Sequence, residues 1–164
     1  MAEENTEAAE QGNGEAPPIV VNAQYTKDLS FETPTAPGIF SLMQQTAPDM
    51  QISVNVNTTE FEQGVHEVVL DLTARCTVGD DIAFILELQY AGLFTLNVDD
   101  EVKSAVLLIE CPRLLFPFAR NILADVSRDG GFPPVMLGLI DFGALYQAEL
   151  EKQAAEGGAP AADG

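Results

Sequence analysis

The stretch that decides the fold is VHEVVLDLTARCTVGDDIAFILELQY, residues 65–90. Apolar and polar residues alternate on both sides of Gly79-Asp80-Asp81, and this period of two is typical of half-buried β-strands. The Gly-Asp-Asp sequence itself favours a tight turn. The stretch therefore predicts two antiparallel strands whose apolar residues share one face of a sheet. These residues are Val68, Leu70, Leu72, Ala74, Cys76 and Val78, followed by Ile82, Phe84, Leu86, Leu88 and Tyr90.

Two further strands are predicted on the N-terminal side. Residues 51–57 alternate in the same way, and the short turn at residues 60–64 joins them to the strand at residue 65. A less regular strand is predicted at about residues 19–32, before a loop that contains Pro34, Pro37 and Gly38. Because short connections favour antiparallel neighbours, we expect a four-stranded antiparallel sheet.

The C-terminal half changes to helical spacing. Asp99 or Asp100 can cap a helix that Pro112 and Pro117 interrupt or kink, and that ends near Gly130-Gly131. Asp141 is expected to cap a last helix that runs to about residue 150. Strands followed by helices indicate an α+β protein, with two to three helices packed on one face of the sheet.

The two ends of the chain contrast with its middle. Residues 1–18 are expected to form a disordered acidic tail and residues 151–164 a flexible C-terminal tail, because neither has much to bury. Residues 19–150 are then the folded domain. The first residues lack the basic region of a secretory signal, and no apolar run approaches the ~20 residues of a membrane helix. With only two cysteines, we expect a cytoplasmic protein that does not insert into a membrane.

The net charge restricts the partners. Acidic residues outnumber basic ones 26 to 7, for a formal net charge of −19. This sign excludes a nucleic-acid binding role, which needs clustered Lys and Arg, and it disfavours anionic membrane surfaces. Basic proteins or basic peptide segments are the expected partners.

Residues 105–126 are apolar on nearly every side. A helix that packs on its own sheet needs only one apolar stripe, so the surplus predicts contact with another subunit, a client or both. A well-buried central helix is the simpler alternative.

Catalytic chemistry is hard to assemble from this sequence. His66 is the one histidine, and ten residues separate it from Cys76, about 33 Å if both lie in one strand. Cys111 is best explained as a buried apolar residue. No nucleotide-binding glycine pattern occurs. We therefore expect no catalytic residue, no cofactor and no metal site.

The polar face of the predicted sheet carries acids around an apolar residue. Asp28 and Glu32 are four apart on the first strand and point the same way, while Glu87 and Ile85 lie on the polar face of the fourth strand. This face could dock a basic partner. An ordinary solvated face explains the same pattern.

The sequence resembles the SecB family of bacterial export chaperones over roughly residues 19–150. The most specific stretches are YTKDLSFE at 25–32 and CPRLLFPFAR at 111–120, supported by YAGLF at 90–94, VSR at 126–128, FP at 132–133 and DFGAL at 141–145. The resemblance implies a homotetramer, a dimer of dimers, with no catalysis and no cofactor. It implies that unfolded precursor proteins are held in long apolar grooves, kept translocation-competent, and delivered to the SecA ATPase.

The resemblance also implies residue roles. The acids that dock SecA fall on Asp28, Glu32 and Glu87, with Ile85 as the apolar member. The positions that line the client groove are Phe31, Phe84, Leu86, Leu88 and Phe118. The C-terminal tail would be a second SecA contact. Beside this hypothesis stand an acidic adaptor protein that oligomerises through residues 105–126 and, less favoured, a small enzyme that uses Cys111 or a carboxylate pair.

Overall fold

Four antiparallel strands form one layer of the protein in the computed structural model, which describes residues 16–157. The strands are β1 (Ile19–Glu32), β2 (Asp49–Glu62), β3 (Val65–Val78) and β4 (Asp81–Leu96). Tight turns join β2 to β3 and β3 to β4, and Gly64 and Gly79 take the positive φ angles that such turns require. The prediction of a four-stranded antiparallel sheet is confirmed.

The strand order is β1-β4-β3-β2. The strand β1 therefore does not pair with its sequence neighbour β2. It pairs with β4, after which the chain crosses to the opposite edge through a segment that includes the short helix α1 (Gly38–Leu42). Both β1 and β2 are edge strands, each with one side free of a strand neighbour within residues 16–157.

The register of the strands separates two faces. Leu70, Leu72, Leu86 and Leu88 share one face with the other alternating apolar residues of β3 and β4, and they are fully buried. Ile82 is an exception to the predicted pattern. A register shift between Cys76 and Thr77 pairs Ile82 with Thr77, a residue that lies on the polar side with Thr73 and Arg75. This β-bulge interrupts the alternation that the prediction assumed.

Register shifts also explain why β1 looked irregular in the sequence. One shift lies between Val21 and Ala23 and the other between Thr26 and Asp28. Because the second shift inserts Lys27, Tyr25 and Asp28 project to the same face although they are three residues apart. The bulge thus changes which residues of β1 share a face.

A helical layer covers the apolar face. It consists of α2 (Asp100–Ala105), a π-helical segment (Val106–Glu110) and α3 (Cys111–Asp129), which follow one another without a break. Pro112 lacks an N–H, and its ring would crowd the carbonyl group of Leu108 in a regular α-helix. The wider π-helical turn directly before Pro112 relieves this conflict. The helix thus accommodates Pro112, and it continues through Pro117 as well.

The last helix, α4 (Phe142–Gly157), begins as predicted. The Oδ1 atom of Asp141 accepts a hydrogen bond from the N–H of Ala144 at 2.9 Å, which caps the first turn. Asp99 occupies the N-cap position of α2 but makes no capping hydrogen bond with its side chain. The helix α4 includes residues 151–157 of the predicted C-terminal tail. The rest of that tail, 158–164, and residues 1–15 of the predicted N-terminal tail lie outside the described residues.

Candidate binding surfaces on the two faces of the sheet

An aromatic cluster lies on the helix-covered face, where α3 ends. The ring centroid of Phe132 lies 4.8 Å from that of Phe84, 5.2 Å from that of Phe40 and 6.2 Å from that of Phe31. Phe31 also stacks on Phe84 at 5.5 Å. Phe84 and Phe132 are buried, whereas Phe31 is half-buried and Phe40 is 38% exposed. The cluster thus has a buried base and two rings that reach the surface.

Glycines allow the rings to pack against the backbone after α3. A Cβ atom on Gly130 would overlap the ring of Phe31, and one on Gly131 would lie 3.2 Å from the ring of Phe40. Gly131 also has a φ of 97°, a conformation that favours glycine. The sequence Gly130-Gly131 therefore lets this turn approach both surface rings closely.

The apolar surface continues from Phe31 along β1. Leu29 lies opposite Leu88 in the sheet and is 42% exposed, and Phe118 of α3 stacks on Tyr90 with a centroid distance of 6.2 Å. Phe31 pairs with Leu86, which lies four residues before Tyr90 on β4. The two aromatic positions are thus about 13 Å apart along the strand. Half of Phe118 is exposed. Exposed apolar groups thus follow the β1 side of the helical layer.

The five predicted groove residues differ in burial. Phe31 and Phe118 reach the surface, whereas Phe84, Leu86 and Leu88 are enclosed in the core. The covering helix α3 and the edge strand β1 separate Leu86 and Leu88 from solvent, so these two leucines lie behind the surface residues. Direct contact between them and a client requires that a covering element move.

The sequence reasoning missed three members of this surface, which are Phe40, Phe132 and Leu29. A local signal did exist for the two aromatic residues, because each follows a Gly-containing loop sequence, Pro37-Gly38 or Gly130-Gly131. Binding residues are disproportionately frequent on and next to loops. Leu29 was not predicted because its exposure depends on β1 being an edge strand.

A separate open pocket of mixed polar and apolar lining lies between β2 and α4, with a volume of about 300 Å³. Val54 and Val56 of β2 face Leu108, Leu145 and Tyr146 across it. Glu149 and Gln153 form its polar rim. The last helix therefore does not fill the space above the edge strand β2.

The opposite face of the sheet has no covering helix among residues 16–157. The register places Glu32 beside Ile85, Ser30 beside Glu87 and Asp28 beside Gln89. Cross-strand partners project to the same face, so Asp28, Glu32, Ile85 and Glu87 lie together on this open face. The three acids are exposed and Ile85 is half-buried between them. Arg75 lies on the other side of Ile85, on β3.

The acids of this group are not neutralised by the described part of the chain. None of the ion pairs between residues 16 and 157 involves Asp28, Glu32 or Glu87. The nearest polar contact is from the hydroxyl of Ser30 to Oε2 of Glu87, at 3.4 Å. Their negative charge is therefore presented to solvent.

Glu67 is another acid on the same face, and both of its carboxylate oxygens have partners. Oε1 of Glu67 lies 2.6 Å from Nζ of Lys27, and Oε2 accepts a hydrogen bond from the hydroxyl of Tyr25. The bonds from Lys27 and Tyr25 lower the pKa of Glu67. Partial burial, together with Glu67, raises the pKa of Tyr25 to about 12. This group links β1 to β3 across β4.

Comparison with known families decides the identity. The SecB family model, described as "Preprotein translocase subunit SecB", matches residues 12–153. This chain belongs to the SecB family. Curated relatives named "Protein-export protein SecB" match this chain over nearly their whole length. The relative from Paramagnetospirillum magneticum is 49% identical over 150 residues, 92% of this chain and 97% of the relative. The one from Granulibacter bethesdensis is 51% identical over 161 residues, 93% of both chains.

A solved structure shares the fold of this SecB protein. A SecB-like chaperone from Mycobacterium tuberculosis, in complex with a ChAD peptide from an antitoxin, superposes with a TM-score of 0.63. The match covers 74% of this chain and 90% of that one at 13% sequence identity. The α+β fold predicted from the sequence is thus that of a SecB-like chaperone.

SecB proteins are chaperones of protein export and not an enzyme family. Cys111, Cys76 and His66 are all buried in this SecB protein. Cys111 is fully buried, and burial together with Glu110 raises the pKa of its thiol to about 12. His66 and Cys76 both lie in β3, ten residues apart. Between residues 16 and 157, no three His, Cys, Asp or Glu side chains group in a way that would hold a metal ion.

No helix within residues 16–157 of this SecB protein combines the length and the apolar character that crossing a membrane requires.

Proposed function

We propose that this SecB protein binds unfolded precursor proteins in the cytoplasm, keeps them translocation-competent and delivers them to the SecA ATPase without catalysis. The observation that supports this best is the pair of surfaces on opposite faces of one sheet. The helix-covered face offers exposed aromatic and aliphatic side chains, and the open face offers unpaired acids around an apolar residue.

The client groove is proposed to follow the β1 side of the helical layer. Phe31 and Phe118 from the family pattern contribute a half-buried and an exposed ring, and Leu29 and Phe40 extend the same surface. Phe84, Leu86 and Leu88 support it from the core. Burial of apolar surface yields ~25 cal/mol per Å², without a requirement for any particular sequence. Such a surface suits unfolded chains, which expose many apolar segments.

Affinity for long clients would come from several contacts at once. The open pocket between β2 and α4 is a second surface of this chain that could contact a client. When one client segment is bound, the next segment meets the protein at a high effective concentration. A long unfolded precursor is therefore held more tightly than any of its short segments.

The SecA contact is proposed to lie on the open face at Asp28, Glu32, Ile85 and Glu87. An apolar residue surrounded by charged groups matches the usual anatomy of a protein interface, with a dry centre and a polar rim. The unpaired acids would attract a basic surface of SecA and speed the encounter at low salt. The C-terminal tail is proposed as a second contact.

The assembly is proposed to be a homotetramer, a dimer of dimers. Leu114 of α3 is 43% exposed, and Val102 of α2 is 48% exposed. Apolar exposure of this extent along one helix favours contact with another copy of the chain. The free edge of β1 is a further surface through which copies could associate.

The test is size exclusion with light scattering, in which the protein is mixed with a chemically unfolded, slow-folding precursor. The folded precursor is the control. A tetramer that co-elutes only with the unfolded precursor supports the proposal. A particle that ignores unfolded chains contradicts client binding and favours an adaptor that only oligomerises through its helices.

A further inference from the structure

The turn after α3 is held by one buried side chain, that of Ser127. Ser127 is completely buried in the last turn of the helix. Its hydroxyl donates a hydrogen bond to the carbonyl oxygen of Leu123 at 2.7 Å and accepts one from the N–H of Val135 at 2.8 Å. The carbonyl oxygen of Ser127 accepts a further bond from the N–H of Phe132 at 3.1 Å. Hydrogen bonds to Ser127 therefore hold both ends of the segment 132–135.

A serine in a helix commonly bonds only to the carbonyl group four residues before it. Here the same hydroxyl also satisfies a backbone N–H from outside the helix, and Val135 is itself buried. If the hydroxyl were removed, this N–H would remain buried without a partner. The turn would then have to move until the N–H reached water.

The turn determines where Phe132 lies. Phe132 is 4% exposed, and its ring contacts those of Phe84, Phe40 and Phe31. Phe31 and Phe40 reach the surface and rest on this buried ring. A displacement of the turn would therefore change the position of both surface rings, although Ser127 does not contact solvent.

We infer that Ser127 is a positioning residue for client binding, since its hydroxyl fixes Val135 and thereby the turn that carries Phe132 beneath the surface rings of Phe31 and Phe40. This inference rests on the proposed client surface and assigns a role to a residue that no client touches. It predicts that client affinity depends on a hydrogen bond behind the surface.

The test compares Ser127→Ala with Val68→Ala. Val68 is also completely buried on the same face, but it lies about 27 Å along β3 from Cys76, the cross-strand partner of Phe84. Both variants are assayed at a temperature at which circular dichroism shows them folded. We expect Ser127→Ala to bind an unfolded precursor about tenfold more weakly, through faster release, and Val68→Ala to bind it as the parent does.

A fluorescent reporter measures the local change directly. The chain contains no tryptophan, so Phe40→Trp introduces a single indole that rests on Phe132. Adding Ser127→Ala to this reporter should shift its emission to the red. The indole at position 40 becomes more exposed to water when the ring of Phe132 moves. Adding Val68→Ala should leave the emission unchanged.

The outcomes separate this inference from the proposed function. Equal losses of affinity in Ser127→Ala and Val68→Ala would overturn the inference, because general destabilisation would then explain both. If Phe31→Ala weakens client binding but Ser127→Ala does not, the inference fails and the client surface stands. If the parent protein binds clients and neither Phe31→Ala nor Ser127→Ala weakens that binding, the proposed client surface itself is wrong.

A second variant covers the case in which Ser127→Ala does not fold. Gly131→Ala alters the same turn from an exposed position, where the φ of 97° strains any residue with a side chain. We expect it to weaken client binding as well, and an unchanged affinity would contradict the inference.

Discussion

The two faces of the sheet differ in how their side chains are used. On the helix-covered face, the alternating residues of β3 and β4 are enclosed, and apolar groups reach solvent around them, among them Leu29 of β1 and Phe118 of α3. On the open face, Asp28, Glu32 and Glu87 keep their charges in water. Leu86 and Leu88 belong to the first face and Ile85 and Glu87 to the second, although all four are on β4. One strand therefore serves two surfaces, and substitutions one residue apart should separate client binding from docking.

The largest effect is expected in the core, which supports both surfaces. Leu88→Ala should lower the free energy of unfolding by about 2–5 kcal/mol, because it leaves a cavity under α3. Gln89→Ala, one residue away on the open face, should change it by less than about 0.5 kcal/mol. Urea denaturation at a fixed protein concentration measures both values. Similar losses would contradict the assignment of the two faces.

The next largest effect is a loss of client affinity on the helix-covered face. Phe31→Ala should weaken the binding of an unfolded precursor by about 2 kcal/mol, or about thirtyfold, while SecA binding is unchanged. The control is Phe61→Ala, which removes an aromatic ring that is 62% exposed on β2. Fluorescence titration with a labelled precursor gives both affinities. Equal weakening in the two variants would show that any exposed ring serves, and that no groove at Phe31 exists.

A smaller effect is expected on the open face. Glu87→Lys should weaken SecA binding about tenfold at low salt and less at high salt, since salt screens exposed charges. Client affinity should not change. Glu60→Lys makes the same charge change at an exposed position of the edge strand β2 and is the control. If both variants weaken SecA binding alike, net charge and not this face determines docking.

The smallest effect concerns the pairing of Glu67 with Lys27. Lys27→Met should cost about 0.5 kcal/mol of unfolding free energy at neutral pH, the usual size for a partly exposed ion pair. The pKa of Glu67 is lowered in the folded protein, so the pair stabilises fully above the pKa of an unfolded glutamate, about 4.3. The stabilisation is lost as the pH falls through the folded pKa.

Denaturation at several pH values measures this dependence. The parent and Lys27→Met should differ at pH 7 and converge in strong acid, where Glu67 is protonated in both the folded and the unfolded state. A difference that does not change with pH would mean that Lys27 acts through packing and not through its charge.

Much of the fold was predictable because it depends on local patterns. The alternation in residues 65–90 predicted β3 and β4 together with their buried face, and Asp141 marked the start of α4. The spacing of Asp28 and Glu32 also predicted a shared face, and the register agrees. Their role in docking SecA stays a prediction.

The candidate client surface was only partly predictable. Phe31 and Phe118 were named from the family pattern, but the sequence did not show that Leu86 and Leu88 would be enclosed. Burial of those leucines depends on α3 lying over an inner strand. Phe40 and Phe132 are 92 residues apart in the chain by their numbers, and only folding brings their rings within 5.2 Å.

The sequence by itself determined the four strands and the long helices, the apolar face of the sheet and the acidic character of the molecule. These properties follow from the period of apolar residues and from composition, which are local or additive. Only the tertiary structure decided that β1 pairs with β4, that a bulge at Lys27 brings Tyr25 and Asp28 to one face, and that four phenylalanines meet after α3. These features depend on contacts between residues far apart in the chain, and such contacts form where packing is best over the whole molecule.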